Sequence, residues 1–459
     1  MVLSIPQITK MQESVGSGIT RSLAWRHKQL GCLMSLVEQH EQDVLHALKT
    51  DLGKPAAEAF FEIAALRQEL KLTKRNLHRW MRSQRIPVPI TLSPGQAQVV
   101  PEPLGCVLVI GPWNYPFQLM LRPLISALAA GNTAVLKPSE HAPTVSALIA
   151  RLVENHFEPE VVRVQQGDGT VAAQLVAMPF DHIFFTGGEN IGRKVLAGAA
   201  KNLTPVTLEL GGKSPALVLQ GANLSVSARR LIWGKGINAG QTCIAPDHIL
   251  VEPSLRSGLL DAMHNQRSRM YGENVLASDQ LGKIINQQQF DRLEKLLEQA
   301  REDGRILIGG EISREQNRIA PTVIDVKDRQ DPLMGEELFG PLLPIIQIGS
   351  LSDSLREIRR QGKPLALYVF GGSKAQQKEI LGTTSSGGVC LNDVIMQAAI
   401  PELPFGGVGT SGMGSYHGQN GFRTFSHYKA VLKRGFRFDF KLRYPPYNIG
   451  LKTLRQMVG

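Results

Sequence analysis

A cysteine and a glutamate lie in two segments of small and polar residues, and both side-chain types can do chemistry. Cys243 lies in residues 241–246 (QTCIAP), and Glu209 opens residues 209–215 (ELGGKSP). A thiolate is a strong nucleophile, and a carboxylate can act as a general base. The pair predicts covalent catalysis through Cys243.

The surroundings of Cys243 differ from those of the other three cysteines. Cys106 and Cys390 lie in apolar runs that predict core strands, and Cys32 also fits a buried position. A single cysteine is most often a small buried apolar residue. Residues 238–242 (NAGQT) are small and polar, however, and we expect a helix to begin there. A helix N-terminus lowers the pKa of a thiol, which favours a reactive thiolate.

Asn114 lies between prolines and aromatic residues in 112–116 (PWNYP), directly after an apolar strand. An amide held rigidly there could donate to a developing oxyanion. The alternative is that Asn114 caps the following helix. Local sequence leaves both interpretations open.

A glycine-rich turn in residues 184–194 (FFTGGENIGRK) is the best candidate for a dinucleotide site, because it joins a predicted strand to a predicted helix. Lys137 and Glu140 end another strand, where they could hydrogen-bond ribose hydroxyls; an ordinary turn is the alternative in both places. Residues 407–412 (GVGTSG) match the dinucleotide fingerprint but follow no strand, so we reject them as a phosphate loop.

The length of the chain and the order of its apolar and helical segments predict the architecture. A chain of 459 residues is expected to form two or three domains. Residues from about 7 to 85 predict two or three helices, and 97–103 an edge strand. Short apolar strands then alternate with helical stretches from Gly105, and again after Glu209. The prediction is an α/β fold with two doubly wound parallel sheets.

Composition excludes several classes. Four scattered cysteines without metal-ligand spacing argue against disulfides and a structural zinc site, so no metal is expected. A signal-peptide pattern is absent, as is any apolar stretch of ~18 residues. These features predict a cytoplasmic protein.

The formal charge of +11 is concentrated at the C-terminus. Residues 429–459 hold eight Lys or Arg against one Asp, with aromatic residues interleaved. One interpretation is peripheral contact with an anionic membrane, and the other, which we favour slightly, is a solvated tail or a dimer contact. No recognised nucleic-acid-binding module accompanies the charge, so no nucleic-acid partner is expected.

Seven motifs, taken in order, resemble the NAD(P)-dependent aldehyde dehydrogenase superfamily over about residues 10 to 428. They are PWNYP (112–116), KPSE (137–140), FTG (185–187), ELGGKS (209–214), GQTC (240–243), ELFGP (337–341) and PFGG (404–407). The short N-terminus, the close spacing before Asn114 and residues 407–418 most resemble the class 3 or fatty aldehyde branch.

The resemblance implies a cofactor domain, a catalytic domain and a small bridging β-arm, assembled as a homodimer. The boundaries that we assign are 1–80 with 101–208 for the cofactor domain and 209–397 for the catalytic domain. Residues 81–100 with 398–428 would form the arm, and 429–459 the basic aromatic tail. The implied substrates are medium or long apolar aldehydes, whether aliphatic, polyene or aromatic.

The resemblance also assigns roles. Cys243 would be the nucleophile, Glu209 the general base, and Asn114 with the Cys243 backbone N–H the oxyanion hole. The implied cofactor contacts are Lys137 and Glu140 to the adenosine ribose, Gly187 and Gly192 in the pyrophosphate turn, and Glu337 with Phe339 at the nicotinamide ribose and ring. NAD is the expected cofactor, because Glu140 would repel a 2′-phosphate, with NADP tolerated through Lys137.

Two other functions stay open. A CoA-acylating aldehyde dehydrogenase would replace water by CoA, and the presence of Glu209 favours hydrolysis over that reaction. A catalytically silent, membrane-associated scaffold is countered by the joint presence of Cys243, Glu209 and Asn114.

Overall fold

The structure is a computed structural model that describes residues 3–89, 92–439, 443–447 and 450–458. Phe440, Lys441 and Leu442 of the predicted basic tail lie outside the described residues, and so do Asn448 and Ile449.

Helices form the N-terminal layer, as the sequence predicts, but there are four of them where two or three were expected. Their apolar residues recur at helical spacing, and Leu30, Leu33 and Val37 on the second helix are fully buried. Gly53 ends the third helix at φ 64°, a left-handed conformation that glycine adopts without strain. The helices are α1 (Ile5–Gly16), α2 (Leu23–Gln39), α3 (Glu41–Leu52) and α4 (Ala56–Trp80).

A six-stranded sheet follows, with helices between its strands. The strands are β3 (Cys106–Ile110), β4 (Thr133–Lys137), β5 (Val162–Val164), β6 (His182–Thr186), β7 (Val206–Glu209) and β17 (Gly412–Met413). Their order is β17-β7-β6-β3-β4-β5, and all pairs are parallel except β17 with β7. The connecting helices are α5 (Gln118–Ala130), α6 (Pro143–His156), α7 (Gly169–Val176) and α8 (Glu189–Ala199).

A second sheet has seven strands in the order β10-β13-β14-β9-β8-β15-β16, parallel except for β10. The strands are β8 (Pro215–Val218), β9 (His248–Val251), β10 (Ile306–Ile308), β13 (Thr322–Asp325), β14 (Leu342–Gln347), β15 (Ala366–Phe370) and β16 (Gly388–Leu391). Its helices are α9 (Leu224–Gly236), α10 (Pro253–Tyr271), α11 (Gln287–Glu302), α12 (Leu351–Arg360) and α13 (Lys374–Thr383). The predicted α/β class with two doubly wound sheets is therefore confirmed.

A three-stranded antiparallel sheet is the small bridging arm. It contains β1 (Gln84–Ile86), β2 (Gly95–Pro103) and β18 (Ser426–Arg434), with β2 in the centre. The pairing of β18 with β2 runs from Ser426 to Arg434, so this strand continues past residue 428, where we placed the start of the tail. The remaining elements are β11 (Ile312–Ser313), β12 (Arg318–Ile319), α14 (Gly418–Thr424) and α15 (Leu451–Val458).

Candidate active site

The three predicted catalytic residues come from three segments of the fold. Glu209 is the last residue of β7, and Asn114 lies in the loop between β3 and α5. Cys243 lies in a turn between a short 3-10 helix, Ile237–Gly240, and β9. The site therefore joins the carboxyl ends of two parallel strands, the edge at which α/β folds bind ligands, to the turn that precedes β9 of the second sheet.

The expectation that a helix begins at Cys243 is wrong. Helix α9 ends at Gly236, before the cysteine, and the 3-10 turn that follows holds Asn238 and Ala239 at φ 50° and 52°. Burial raises the pKa of the Cys243 thiol, and the nearby carboxylates of Glu337 and Glu209 raise it further. Without a helix dipole to oppose these effects, the thiol is protonated at neutral pH in the free protein.

Asn114 lies against the turn that carries the cysteine. Its Nδ2 donates to the carbonyl of Gln241 at 3.1 Å, and Nδ2 of Asn238 donates to the Asn114 carbonyl at 2.8 Å. The neighbouring Tyr115 hydroxyl lies 2.7 Å from the hydroxyl of Thr242. Both residues of the loop thus hydrogen-bond the residues just before Cys243.

The alternative that Asn114 caps helix α5 is wrong. Phe117 is the N-cap residue, and the backbone N–H groups of Phe117 and Gln118 donate to the Glu62 carboxylate instead. Lys54 pairs with this buried carboxylate at 2.5 Å and lies 3.9 Å from the centre of the Tyr115 ring. The helix end is satisfied from α4, which leaves the Asn114 amide free to serve another purpose.

Glu209 is a buried carboxyl group without a compensating charge. Its side chain is 2% exposed, and neither carboxylate oxygen has a hydrogen-bond partner within the described residues. Burial raises the pKa of Glu209 well above its ordinary value. A carboxylate so poorly solvated is a stronger base than one in water.

The glycine-rich turn begins beside Glu209. The backbone N–H of Gly187 donates to the Glu209 carbonyl at 3.0 Å, and α8 begins two residues later. A Cβ at Gly187 would come within 2.5 Å of the Phe185 ring. Gly192 is not in the turn but in the first turn of α8, where a Cβ would meet the Leu210 side chain at 2.8 Å. Its place corrects the assignment to the pyrophosphate turn: this glycine lets the helix approach the chain that follows β7.

Lys137 and Glu140 are brought together after β4. Lys137 is buried, and its Nζ donates to Oε2 of Glu140 at 2.6 Å. Burial would raise the pKa of Glu140, but the hydrogen bond and charge of Lys137 lower it overall. Glu140 is therefore ionised at neutral pH and neutralises the lysine.

Glu337 and Phe339 lie on one loop that is held by a buried ion pair. Lys213 binds Asp247 and donates to the carbonyls of Leu333 and Glu336, each at 2.9 Å. Asp247 also accepts from the Leu338 backbone N–H at 2.9 Å. The sequence analysis missed Asp247, although Lys213 lies within the ELGGKS motif. The pair fixes the loop on both sides of Glu337.

The two residues on this loop face different surroundings. Burial and the Asp247 charge raise the pKa of Glu337 to about 8. Phe339 has φ 46° and its ring packs edge-on against Trp113, with ring centres 5.2 Å apart. A non-glycine residue at positive φ carries backbone strain, which is common at functional sites.

A cavity of about 250 Å³ extends from the Cys243 turn between helices α4 and α5. Most of its walls are apolar, and sequence analysis did not single them out. Helical spacing is the sequence signal that could have identified these wall residues. They are Phe61, Ala64, Ala65 and Gln68 from α4, and Tyr115, Gln118, Leu119 and Arg122 from the α5 region. Other apolar walls come from Trp233, Ile244, Ile395, Met396, Ala398 and Phe405.

The part of the chain that the structure describes contains neither a membrane-spanning helix nor a cluster of metal ligands. No helix there is both long and apolar enough to cross a membrane. No group of three or more His, Cys, Asp or Glu side chains there could hold a metal ion.

The chain is similar to known proteins over almost its whole length. Residues 12–431 match the model of the aldehyde dehydrogenase family. The chain is 44% identical over 454 residues to aldehyde dehydrogenase family 3 member H1 of Arabidopsis thaliana, covering 98% of this chain and 94% of that one. It is 40% identical to the dimeric NADP-preferring aldehyde dehydrogenase of Rattus norvegicus, covering 96% and 97%. A solved structure, the substrate-bound state of Staphylococcus aureus AldH, superposes with TM-score 0.96 at 38% identity over the whole of both chains.

Proposed function

The chain belongs to the aldehyde dehydrogenase family, in its family 3 branch, and we propose that it oxidises apolar aldehydes to carboxylic acids through Cys243. It is an NAD(P)-dependent aldehyde dehydrogenase. The observation that carries the proposal is that Cys243 lines an apolar cavity while Glu209 and Asn114 approach the same turn. The proposal assigns the nucleophile, the base and the oxyanion donor.

In the first half-reaction, the Cys243 thiolate attacks the aldehyde carbon and forms a thiohemiacetal. The Asn114 amide, with the Cys243 backbone N–H, donates to the oxyanion that develops. Asn114 already lies against the Cys243 turn, and its Nδ2 has two N–H donors, of which one binds the Gln241 carbonyl and the other could bind the oxyanion. Because the pKa of the thiol is raised, its proton must leave to solvent before the thiolate attacks.

A nicotinamide cofactor bound here would supply the acceptor for the hydride of the thiohemiacetal carbon, and Cys243 would then hold a thioester. The residues fit such a cofactor. A Cβ at Gly187 would collide with the Phe185 ring, and a Cβ at Gly211 would collide with the Glu337 carboxylate. Neither position therefore accommodates a side chain. Glu337 and Phe339 would position the nicotinamide ribose and ring, and residues 187–188 with the start of α8 the pyrophosphate.

In the second half-reaction, Glu209 removes a proton from water, which attacks the thioester and releases the carboxylic acid. A buried carboxylate with a raised pKa suits this step, because proton transfer is most efficient when the pKa of the base is near the working pH.

NAD is the preferred cofactor in this proposal, with NADP tolerated. Glu140 is ionised and half-buried, so it accepts from a ribose 2′-OH and repels a 2′-phosphate. The rat relative is named NADP-preferring, and the ion pair of Lys137 with Glu140 is where the choice would be made. Glu140→Gln should raise kcat/KM with NADP relative to NAD; an unchanged ratio would exclude Glu140 from cofactor choice.

The apolar lining of the cavity and the family resemblance support medium or long apolar aldehydes as substrates, whether aliphatic, polyene or aromatic. Cys243 lines the cavity together with the apolar or weakly polar side chains of Ile244, Trp233 and Tyr115. Burial of each substrate CH₂ is worth about 0.8 kcal/mol, so longer chains gain affinity until the cavity is filled.

The assembly proposed is a homodimer, as the rat relative's name states for that protein. Peripheral membrane contact through the C-terminal tail is a further part of the proposal. Exposed Phe436, Phe438 and Tyr447 accompany the basic residues there, a combination that suits an anionic lipid surface.

The test is formation of NADH and NADPH by the purified protein with hexanal, decanal, benzaldehyde and retinal, with Cys243→Ser as the matched variant. We expect turnover by the wild type and none by the variant. Turnover only with CoA added would favour the acylating reaction. No turnover with any combination of aldehyde and cofactor would favour the silent scaffold.

A further inference from the structure

Arg122 is a buried cation in the wall of the apolar cavity. It is 2% exposed and lies on the same face of α5 as Gln118 and Leu119, which also line the cavity. A guanidinium group is costly to bury, so its presence beside a substrate cavity needs a reason.

The guanidinium group is neutralised but not saturated with acceptors. Its Nη2 donates to Oε2 of Glu69 at 3.1 Å, and the other Glu69 oxygen accepts from the Gly418 backbone N–H at 2.6 Å. Nη1 lies 3.5 Å from the Ala398 carbonyl, a long contact, and Nε has no partner within the described residues. Arginine has five N–H donors, so donors remain for a ligand.

Arg122 lies away from the reacting thiol. Tyr115, at the beginning of the segment, contacts Thr242 next to Cys243. Arg122 is four residues past the first residue of α5, which places it about 6 Å farther along the helix axis. A substrate whose aldehyde carbon is at Cys243 would therefore reach Arg122 with a distal part of its chain.

The neighbours of Arg122 add no second charge on that wall. His417 also lines the cavity, and burial together with the Arg122 charge holds its pKa well below the ordinary value, so its ring is neutral. Glu69 cancels the charge of Arg122. The wall thus offers hydrogen-bond donors at no net charge, which suits a neutral oxygen better than a carboxylate.

We propose that Arg122 binds a hydroxyl or carbonyl oxygen on the distal part of the aldehyde and is a specificity-determining residue. The inference rests on the proposed function, because it assumes that the aldehyde reacts at Cys243. The preferred substrates are then apolar aldehydes that carry one neutral oxygen several carbons from the reacting carbon. A wholly apolar chain leaves the spare donors of Arg122 unpaired, which lowers its kcat/KM.

A purely structural role makes a different prediction. The Arg122–Glu69 pair joins α5, α4 and the residue that begins α14, so its loss could weaken packing around the cavity. That loss would lower turnover of all aldehydes alike. A specificity role changes the ratio between substrates that differ only in the distal oxygen.

The experiment compares hexanal, octanal and decanal with their ω-hydroxy counterparts. In the wild type we expect kcat/KM to be about tenfold higher for at least one hydroxylated member, mainly through KM. The double variant Glu69→Gln/Arg122→Met removes both charges together and should abolish that preference. An unchanged ratio in the variant, or no preference in the wild type at any chain length, overturns the proposal.

Two further measurements on the wild-type protein test the proposal if the double variant folds poorly. Inhibition of the wild type by 1,10-decanediol should be stronger than by decanol, and this needs no variant; equal inhibition counts against the proposal. A stronger wild-type preference for 10-oxodecanoate than for 10-hydroxydecanal would overturn the neutral-oxygen assignment. Absence of turnover with every aldehyde would instead refute the proposed function, and so the two failures can be told apart.

Discussion

At the scale of single residues, burial rather than a helix dipole governs the chemistry of the site. Glu209 and Cys243 both have raised pKa values because they are poorly solvated. Sequence motifs predicted which residues come together, since residue types and order were informative. They could not predict protonation, because the pKa of the thiol depends on the carboxylates that folding places beside it.

Asn114→Ala should slow the formation of the thioester by about 10²–10³-fold, because one oxyanion donor is lost. Pre-steady-state NADH formation measures this step directly. Asn202→Ala, at an exposed asparagine outside the site, is the matched control. A near-unchanged rate in Asn114→Ala would remove this side chain from the mechanism.

Glu337 should make stability depend on pH. With a folded pKa of about 8 and an unfolded value near 4.5, the folded chain retains a proton that the unfolded chain has released. The free energy of unfolding therefore falls as pH rises between these values. Thermal unfolding from pH 5 to 8 should show wild type losing stability relative to Glu337→Gln, with exposed Glu336→Gln as the control. A constant difference across this range would contradict the raised pKa.

At the scale of elements, the alternation of strands and helices was sufficient to predict both parallel sheets, because buried parallel strands are short and continuously apolar. The predicted helix at Cys243 failed for a local reason. Small polar residues suit a helix start, but they suit a tight left-handed turn equally well, and Asn238, Ala239 and Gly240 adopt one. The place of Gly192 inside α8 was likewise missed, since glycine spacing does not reveal where a helix begins.

The turn between β6 and α8 offers a test at this scale. Gly187→Ala would place a methyl group within 2.5 Å of the Phe185 ring and so displace the backbone of the turn that we propose binds the cofactor. We expect a higher KM for NAD, by about tenfold, with a smaller change in KM for the aldehyde. Gly188→Ala is a close control, because nothing lies within 4 Å of its added methyl group. Equal effects of the two substitutions would contradict the role of this turn.

At the scale of the whole molecule, the arm joins residues distant in sequence. β18 pairs with β2 along its whole length, and Lys429 also forms an ion pair with Glu102 at 2.5 Å. Composition identified the basic segment after residue 428 but could not show that its first part is a strand. Basic residues are common on exposed edge strands as well as in solvated tails, so they do not distinguish the two.

The tail beyond β18 provides the prediction for the whole molecule. Truncation after Arg434 keeps the strand and removes the exposed aromatic and basic residues. Co-sedimentation with vesicles containing phosphatidylserine should be strong for the full chain, weak for the truncated chain and reduced by salt. Equal binding of the two chains would refute membrane contact through the tail. Unchanged thermal unfolding of the truncated chain is the control for folding.

The most direct test of the covalent mechanism is the mass of Glu209→Gln after mixing with NAD+ and decanal. We predict one burst of NADH for each active site, little further turnover and a decanoyl group on Cys243, because the thioester forms but water is not activated. The absence of an acyl group on Cys243, or steady turnover at the wild-type rate, would contradict the assignment of nucleophile and base.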